Sequence, residues 1–277
     1  MKKTSFLLIF CIAFILQPVF IMGQPRPGAL PTVTGVDSFR EDTEPTPEDE
    51  YYLGRAVAAN ILSAYKPYTQ SRELTLYLNR ILQTLVVNSE RPVIFGGYHL
   101  MILDSVEYNA FATPGGHIFI TRGLVEAAKS EDALAGIIAH ELAHIVLRHS
   151  MIIIDSMKVE NDLSTIAQQS AAVAGGQKVA AFRQSISSTV DLMTKSGYTK
   201  PQEFEADNMA IVLLALSGYD PGGLLEVLRV LDTVQRGQRG GFNTTHPTPA
   251  ERIANVQALR YPANNTRSAR VSRFRNK

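Results

Sequence analysis

Two periodicities alternate along the chain. From Tyr51 the apolar positions Leu53, Val57, Ile61, Leu62 and Tyr65 recur at three- and four-residue spacing until Pro67, as they do on one face of a helix. Leu74 to Val87 repeats the pattern with Leu78, Ile81, Leu82 and Leu85. The period then falls to two. Tyr98, Leu100 and Ile102 alternate, a second extended stretch lies around Ala110 and Phe111, and His117 to Thr121 follows the turn signal Pro114-Gly115-Gly116. A small sheet with a hairpin is therefore predicted between helices. The helical period returns at Leu134, Ile137, Ile138, Leu142, Ile145 and Val146, with Ser130 as a capping hydroxyl and Glu131-Asp132 in the first turn. Pro201 opens another helix that continues through Ile211, Val212, Leu214 and Ala215 to Gly218, and a further one starts at Pro249 and ends near Leu259.

The flanks follow other rules. Lys2 and Lys3 precede an apolar run from Phe6 to Leu16, and Ile21-Met22-Gly23 ends in a small residue. Residues 1–23 thus read as a secretory signal peptide, because Gln17 and Pro18 break the run before the roughly 20 residues that a spanning helix needs. The expected location is exported and periplasmic. Residues 24–50 form a Pro-rich, acidic linker, with Pro25, Pro27, Pro31, Pro45 and Pro47 and seven acids from Asp37 to Glu50. Residues 263–277 carry Arg267, Arg270, Arg273, Arg275 and Lys277, and read as a solvated, disordered tail whose charge also suits peripheral contact with an anionic membrane. Residues 51–262 remain as the folded domain, within which Ala171 to Gly176 is too small and apolar to assign.

Composition changes this picture in two respects. Across 277 residues, 27 Lys and Arg face 26 Asp and Glu, too even a balance for a dedicated nucleic-acid binder. The one cysteine, Cys11, lies inside the apolar leader, so no disulfide framework is available.

The chemistry sits on the apolar helix. His140-Glu141-Leu142-Ala143-His144 places two histidines four residues apart on one face, where both imidazoles can reach one Zn²⁺. Glu141 stands beside them and can take a proton from an activated water. Two imidazoles and a carboxylate interrupting an otherwise apolar helix are costly to bury unless paired or coordinating metal. A catalytic zinc also needs a third protein ligand. Glu203-Phe204-Glu205-Ala206-Asp207 offers it, and spacing alone leaves both Glu203 and Glu205 open. Asp207 shares the face of Glu203 and can orient an imidazole.

These segments resemble those of the HtpX and CAAX-prenyl-protease family of zinc metallopeptidases. The resemblance rests on His140-Glu141-Leu142-Ala143-His144 with Arg148-His149, on Asn109 to Gly116, on Glu203 to Asp207, and on the later His246-Pro247. It covers residues 50 to 260 and points to the exported BepA/LoiP/OMA-like branch, without a repeat domain. It implies an α+β, zincin-like domain, mainly helical with a small β-sheet. It also implies one Zn²⁺ per chain held by His140, His144 and Glu203, with Glu141 as general base and Asp207 as the supporting acid. Asn109, Ala110, Phe111 and Ala112 would border the cleft, where an edge strand can hold a substrate by main-chain pairing. His246 and Arg252 match positions that polarise the scissile carbonyl or stabilise its oxyanion. The glycines before His246 also allow it to swing onto the metal in a latent state. The expected activity is a zinc endopeptidase acting on unfolded or misfolded envelope proteins. The competing expectation is a non-catalytic, chaperone-like peptide binder with a structural zinc, in which Glu141 would have no task. His149, five residues past His144, is expected off the metal face, as a surface or helix-end residue.

Overall fold

The computed structural model describes residues 45–160, 186–187, 189–191, 197–235, 248–259, 261 and 267–275. The expected signal peptide, the linker up to residue 44, Ala171 to Gly176 and His246 lie outside these residues.

The first helix, α1 (Pro47–Ala64), begins earlier than its apolar spacing suggested. Thr46 caps it. Its backbone N–H donates to the Asp49 carboxylate (2.9 Å), and the Asp49 N–H donates to the Thr46 hydroxyl (3.2 Å). Asp49 and Glu50 are both buried. The acidic linker therefore stops short of residue 50, because two of its acids act as a cap and an ion-pair partner rather than as solvated charge. Helix α2 (Arg72–Val86) follows, capped by Ser71.

Three strands form one sheet in the order β1-β3-β2: β1 (His99–Leu103), β2 (Ala110–Thr113) and β3 (His117–Thr121). β1 runs parallel to β3, with Leu100 opposite Ile118. β2 pairs antiparallel with β3 as the expected hairpin, with Phe111 opposite Phe119. Gly115 makes the hairpin turn in a left-handed conformation (φ +73°), and a Cβ there would come within 2.5 Å of the Tyr51 Cα. The turn is thereby seated against α1, with β2 left at the sheet edge.

Both faces of the sheet are covered. Leu100, Ile102, Ala110, Ala112, Ile118 and Ile120 face the larger core with α2 and the metal-bearing helix α4 (Glu131–Val146). Leu103, Phe111 and Phe119 face a second core with α1 and α5 (His149–Glu160). The alternation is the period-two rule at work. The short α3 (Arg122–Ala127) leads from β3 towards α4. The larger core is completed by α6 (Lys200–Leu216), α7 (Gly222–Gln235) and α8 (Pro249–Ala258). Among the described residues, no helix is long and apolar enough to cross a membrane.

The basic tail departs from expectation. Arg267–Arg275 is a helix, α9. Arg270 pairs with Asp132 (2.7 Å) and Arg273 with Glu131, both in the first turn of α4. A single sequence shows these arginines as charge without partners, whereas the fold supplies two buried carboxylates for them.

Candidate metal centre

All sixteen residues of α4 are buried. The Ser130 hydroxyl accepts from the Ala133 N–H (3.0 Å) and fixes the start of the helix. Two turns later His140 and His144 project to one side, and their Nε2 atoms lie 3.2 Å apart. Helix α6 supplies the opposing carboxylate. Glu203 stands in its first turn, with one oxygen 3.4 Å from His140 Nε2 and the other 3.6 Å from His144 Nε2. All three side chains are buried, and their donor atoms lie within 4.8 Å of one another. Glu205, the alternative left open by spacing, points outward with its side chain 63% exposed.

The donor set fits a metal ion. Two imidazole nitrogens and a carboxylate aimed at one point in a dry interior are poorly matched to each other. They suit a divalent cation that accepts nitrogen and oxygen ligands. His140 is oriented from behind, its Nδ1 3.1 Å from Asp207 Oδ1. With Nδ1–H donating there, Nε2 keeps its lone pair for a metal. Asp207 is held in turn by Arg252 from α8, whose Nε and Nη2 donate to the two carboxylate oxygens at 3.0 and 2.6 Å. Burial alone would push the Asp207 carboxyl up. Arg252 and His140 reverse this and hold it below the usual carboxylate range. Burial and Arg252 oppose a charge on His140, yet the Asp207 and Glu203 carboxylates on its two nitrogens raise it to about 9. The acids thus favour positive charge here, carried as a proton on Nε2 or, with that proton displaced, as a metal cation.

Most of the expected site residues meet here. His140, Glu141, His144, Glu203, Asp207 and Arg252 share one buried cluster. Arg252 turns its guanidinium onto Asp207, behind the ligands, rather than towards open space. Asn109 to Ala112 are also buried, and Phe111 packs against Tyr65 in the second core. Their side chains are thus committed to the fold, which leaves the main chain of β2 as the part able to meet a ligand. The Asn109 carboxamide accepts from the Ala110 N–H (2.9 Å).

Two neighbours were not anticipated. Tyr198 stacks on the His144 ring at 4.0 Å, and its hydroxyl is bonded to Ser150 (2.6 Å). His149 is buried, not a surface residue, with Nδ1 2.9 Å from His144 Nδ1 and Nε2 3.3 Å from Glu205 Oε2. On a continuous helix, five residues would carry it about 140° away from His144. Arg148 breaks the helix with φ +56° and turns His149 back. An arginine gives no sequence signal for a left-handed residue, so nothing in the pattern pointed to this contact.

A largely helical α+β fold around a buried His-His-Glu donor set, with the second histidine preceded by Glu141 on the same helix, defines a zincin-like metallopeptidase domain. Comparison with known proteins places it more closely: residues 72–260 match the model of peptidase family M48, and the chain belongs to that family. It is 27% identical over 185 residues to the mitochondrial metalloendopeptidase OMA1 of Schizosaccharomyces pombe, covering 66% of this chain and 52% of that one. It is 28% identical over 190 residues to the beta-barrel assembly-enhancing protease of Escherichia coli K12, covering 66% and 38%. It is 29% identical over 152 residues to the metalloprotease LoiP of the same organism, covering 54% and 58%. The chain therefore spans between about two fifths and three fifths of the length of these relatives.

Proposed function

We propose that the chain is an exported zinc endopeptidase that cleaves peptide bonds in misfolded or damaged envelope proteins. The observation that carries this reading is the convergence of His140, His144 and Glu203, with Glu141 adjoining on α4. The His₂Glu set is one that catalytic zinc commonly uses with a fourth position open. When bound, zinc would supply Lewis acidity and lower the pKa of water.

The chain's own groups account for the rest. The Glu141 carboxylate accepts the proton of the attacking water and returns it to the leaving amine. Asp207 keeps the His140 lone pair directed inward, and Arg252 positions Asp207. The β2 edge holds an extended substrate through its main chain, a mode that tolerates many sequences and suits unfolded chains as partners. His246, by its likeness in the sequence, acts on the substrate carbonyl or closes the site in a latent state. Envelope substrates follow from the likeness to the exported branch, export from the leader-like residues 1–23, and peripheral membrane contact from the arginines after residue 263.

The test uses the full chain with the signal removed. Metal content is measured, and cleavage of an unfolded outer-membrane protein is compared for wild type and Glu141→Gln. One zinc per chain, with chelator-sensitive cleavage abolished in the variant but metal retained, is the expected result. Zinc without cleavage would instead favour the peptide-binding module.

A further inference from the structure

The His144–His149–Glu205 chain has a property that its distances impose. Two Nδ1 atoms 2.9 Å apart, both buried, require one to donate and the other to accept. The Nε2 of His144 is the nitrogen that faces His140 and Glu203. A neutral imidazole carries a single hydrogen. If His149 donates from Nδ1, His144 must carry its hydrogen on Nε2 and has no lone pair for a metal. His149 would then also present a bare Nε2 to the Glu205 carboxylate, acceptor against acceptor at 3.3 Å. In the other arrangement both contacts of the relay are matched, and the acceptors that remain, His144 Nε2, His140 Nε2 and Glu203, are the ones that converge on the metal position. His144 donates from Nδ1 to His149 Nδ1, His149 donates from Nε2 to Glu205, and His144 turns the Nε2 lone pair towards His140 and Glu203, as a ligand would.

We propose that His149 and Glu205 are positioning residues that select the metal-competent tautomer of His144. The Glu205 carboxylate at the surface end favours a hydrogen on the near nitrogen of His149. That choice is passed through two rings to the buried donor set. Tyr198, stacked on His144 with the planes 15° apart, holds the ring in the plane that the relay needs. The other ligand imidazole is oriented directly by an aspartate, so the centre has one short support and one relayed support. The inference rests on the reading of this cluster as a metal site.

Zn²⁺ affinity of the metal-free full chain, measured by chelator competition, tests it together with the ¹⁵N shifts of the histidine rings. Wild type should show His144 with its hydrogen on Nδ1. Glu205→Ala, at an exposed position that does not threaten folding, should populate the Nε2–H form and weaken Zn²⁺ binding several-fold. His149→Leu should weaken it by about 10- to 100-fold. In His149→Asn the side-chain oxygen can serve as the acceptor for His144, which should restore affinity to within a few-fold of wild type. In that background Glu205→Ala should have no further effect. Unchanged Zn²⁺ affinity in His149→Leu and Glu205→Ala, or an equal effect of Glu205→Ala in both backgrounds, overturns the proposal. If His149→Leu does not fold, Glu205→Ala and the ring shifts decide it. Failure of wild type to bind Zn²⁺ refutes the metal reading itself, a result distinct from the others.

Discussion

Gly136 lies one turn before His140, where the backbone of α4 approaches that of α7 closely. A Cβ built there would sit 2.8 Å from both the N and the Cα of Leu224, and 3.0 Å from the carbonyl carbon of Gly223. The approach is reciprocal, since a Cβ on Gly223 would sit 2.1 Å from the Asp132 carbonyl oxygen. In Gly136→Ala, helix propensity favours the variant by about 1 kcal/mol. Steric contact opposes it. Carbon atoms pack at about 3.5–4.0 Å, so the two helix backbones must separate by roughly 0.7 Å or more. Such overpacking costs about 1–3 kcal/mol, and more when no side chain can yield. The atoms met here are all main chain, so the contact term should win. The expected net loss is on the order of 1–2 kcal/mol, or about 2–8 °C in melting temperature for a domain of this size. Circular-dichroism melts of the metal-free chain measure it. Adding Leu224→Ala should give no recovery, because truncating that side chain leaves its N and Cα in place. Zn²⁺ affinity should fall in parallel as the turn bearing His140 shifts. A Gly136→Ala variant that melts at or above the wild-type temperature would refute the close-approach argument.

Three further outcomes are expected. Arg252→Met leaves the buried Asp207 without its bidentate partner and should destabilise the chain by about 3–5 kcal/mol in urea titrations, with Asp207→Asn in the same chain recovering part of the loss. Arg270 and Arg273 both pair with acids of α4, but only Arg270 is buried and the Arg273 side chain is 54% exposed. Chemical denaturation should therefore show Arg270→Ala costing about 2–4 kcal/mol and Arg273→Ala less, about 1–2, because its guanidinium is half exposed and Tyr77 still donates to the buried Glu131 carboxylate. Burial, with His99 and Arg55 adding to it, pushes His117 down to about 4, so the unfolded chain binds its proton more readily. Stability should fall as pH drops from about 6.5 towards 4, by on the order of 1–2 kcal/mol after discounting for the half-burial of the ring. His117→Gln should flatten that part of a melting-temperature profile against pH.

Local patterns carried most of the fold. The two apolar periods placed α1, α2, the strands, the hairpin and α4 close to where they stand, because each period is written in neighbouring residues. Leu224, Val227, Leu228 and Leu231 carry the same helical spacing on α7, but the Gly222-Gly223 start masked it. What stayed hidden depends on groups that only the fold brings together. Arg270 and Arg273 are indistinguishable from solvated charge until Asp132 and Glu131 meet them. The donor set was accessible because both histidines and their base lie on one helix, and burial then separated Glu203 from Glu205. His149 escaped because its contact depends on the backbone break at Arg148, and Arg252 acquired its partner only through the packing of α8 against α6.

Helix α4 is itself a local structure, yet its two ends are fastened by distant chain. At its start, Arg270 and Arg273 reach Asp132 and Glu131, while Tyr77 donates to Glu131 (2.9 Å). At its end, Arg91 joins Glu50 of α1 to the Ile145 carbonyl oxygen (3.1 Å), and Arg148 pairs with the same Glu50. These closures join residues as many as 142 positions apart, so α4 is not fixed until long loops have closed. The amide hydrogens of α4 should then exchange only through opening of the whole domain, and not through local fraying. The order of its ligands is thereby tied to the cooperative unit of the fold: a lesion at either chain-distant clasp should loosen the metal centre without touching a ligand.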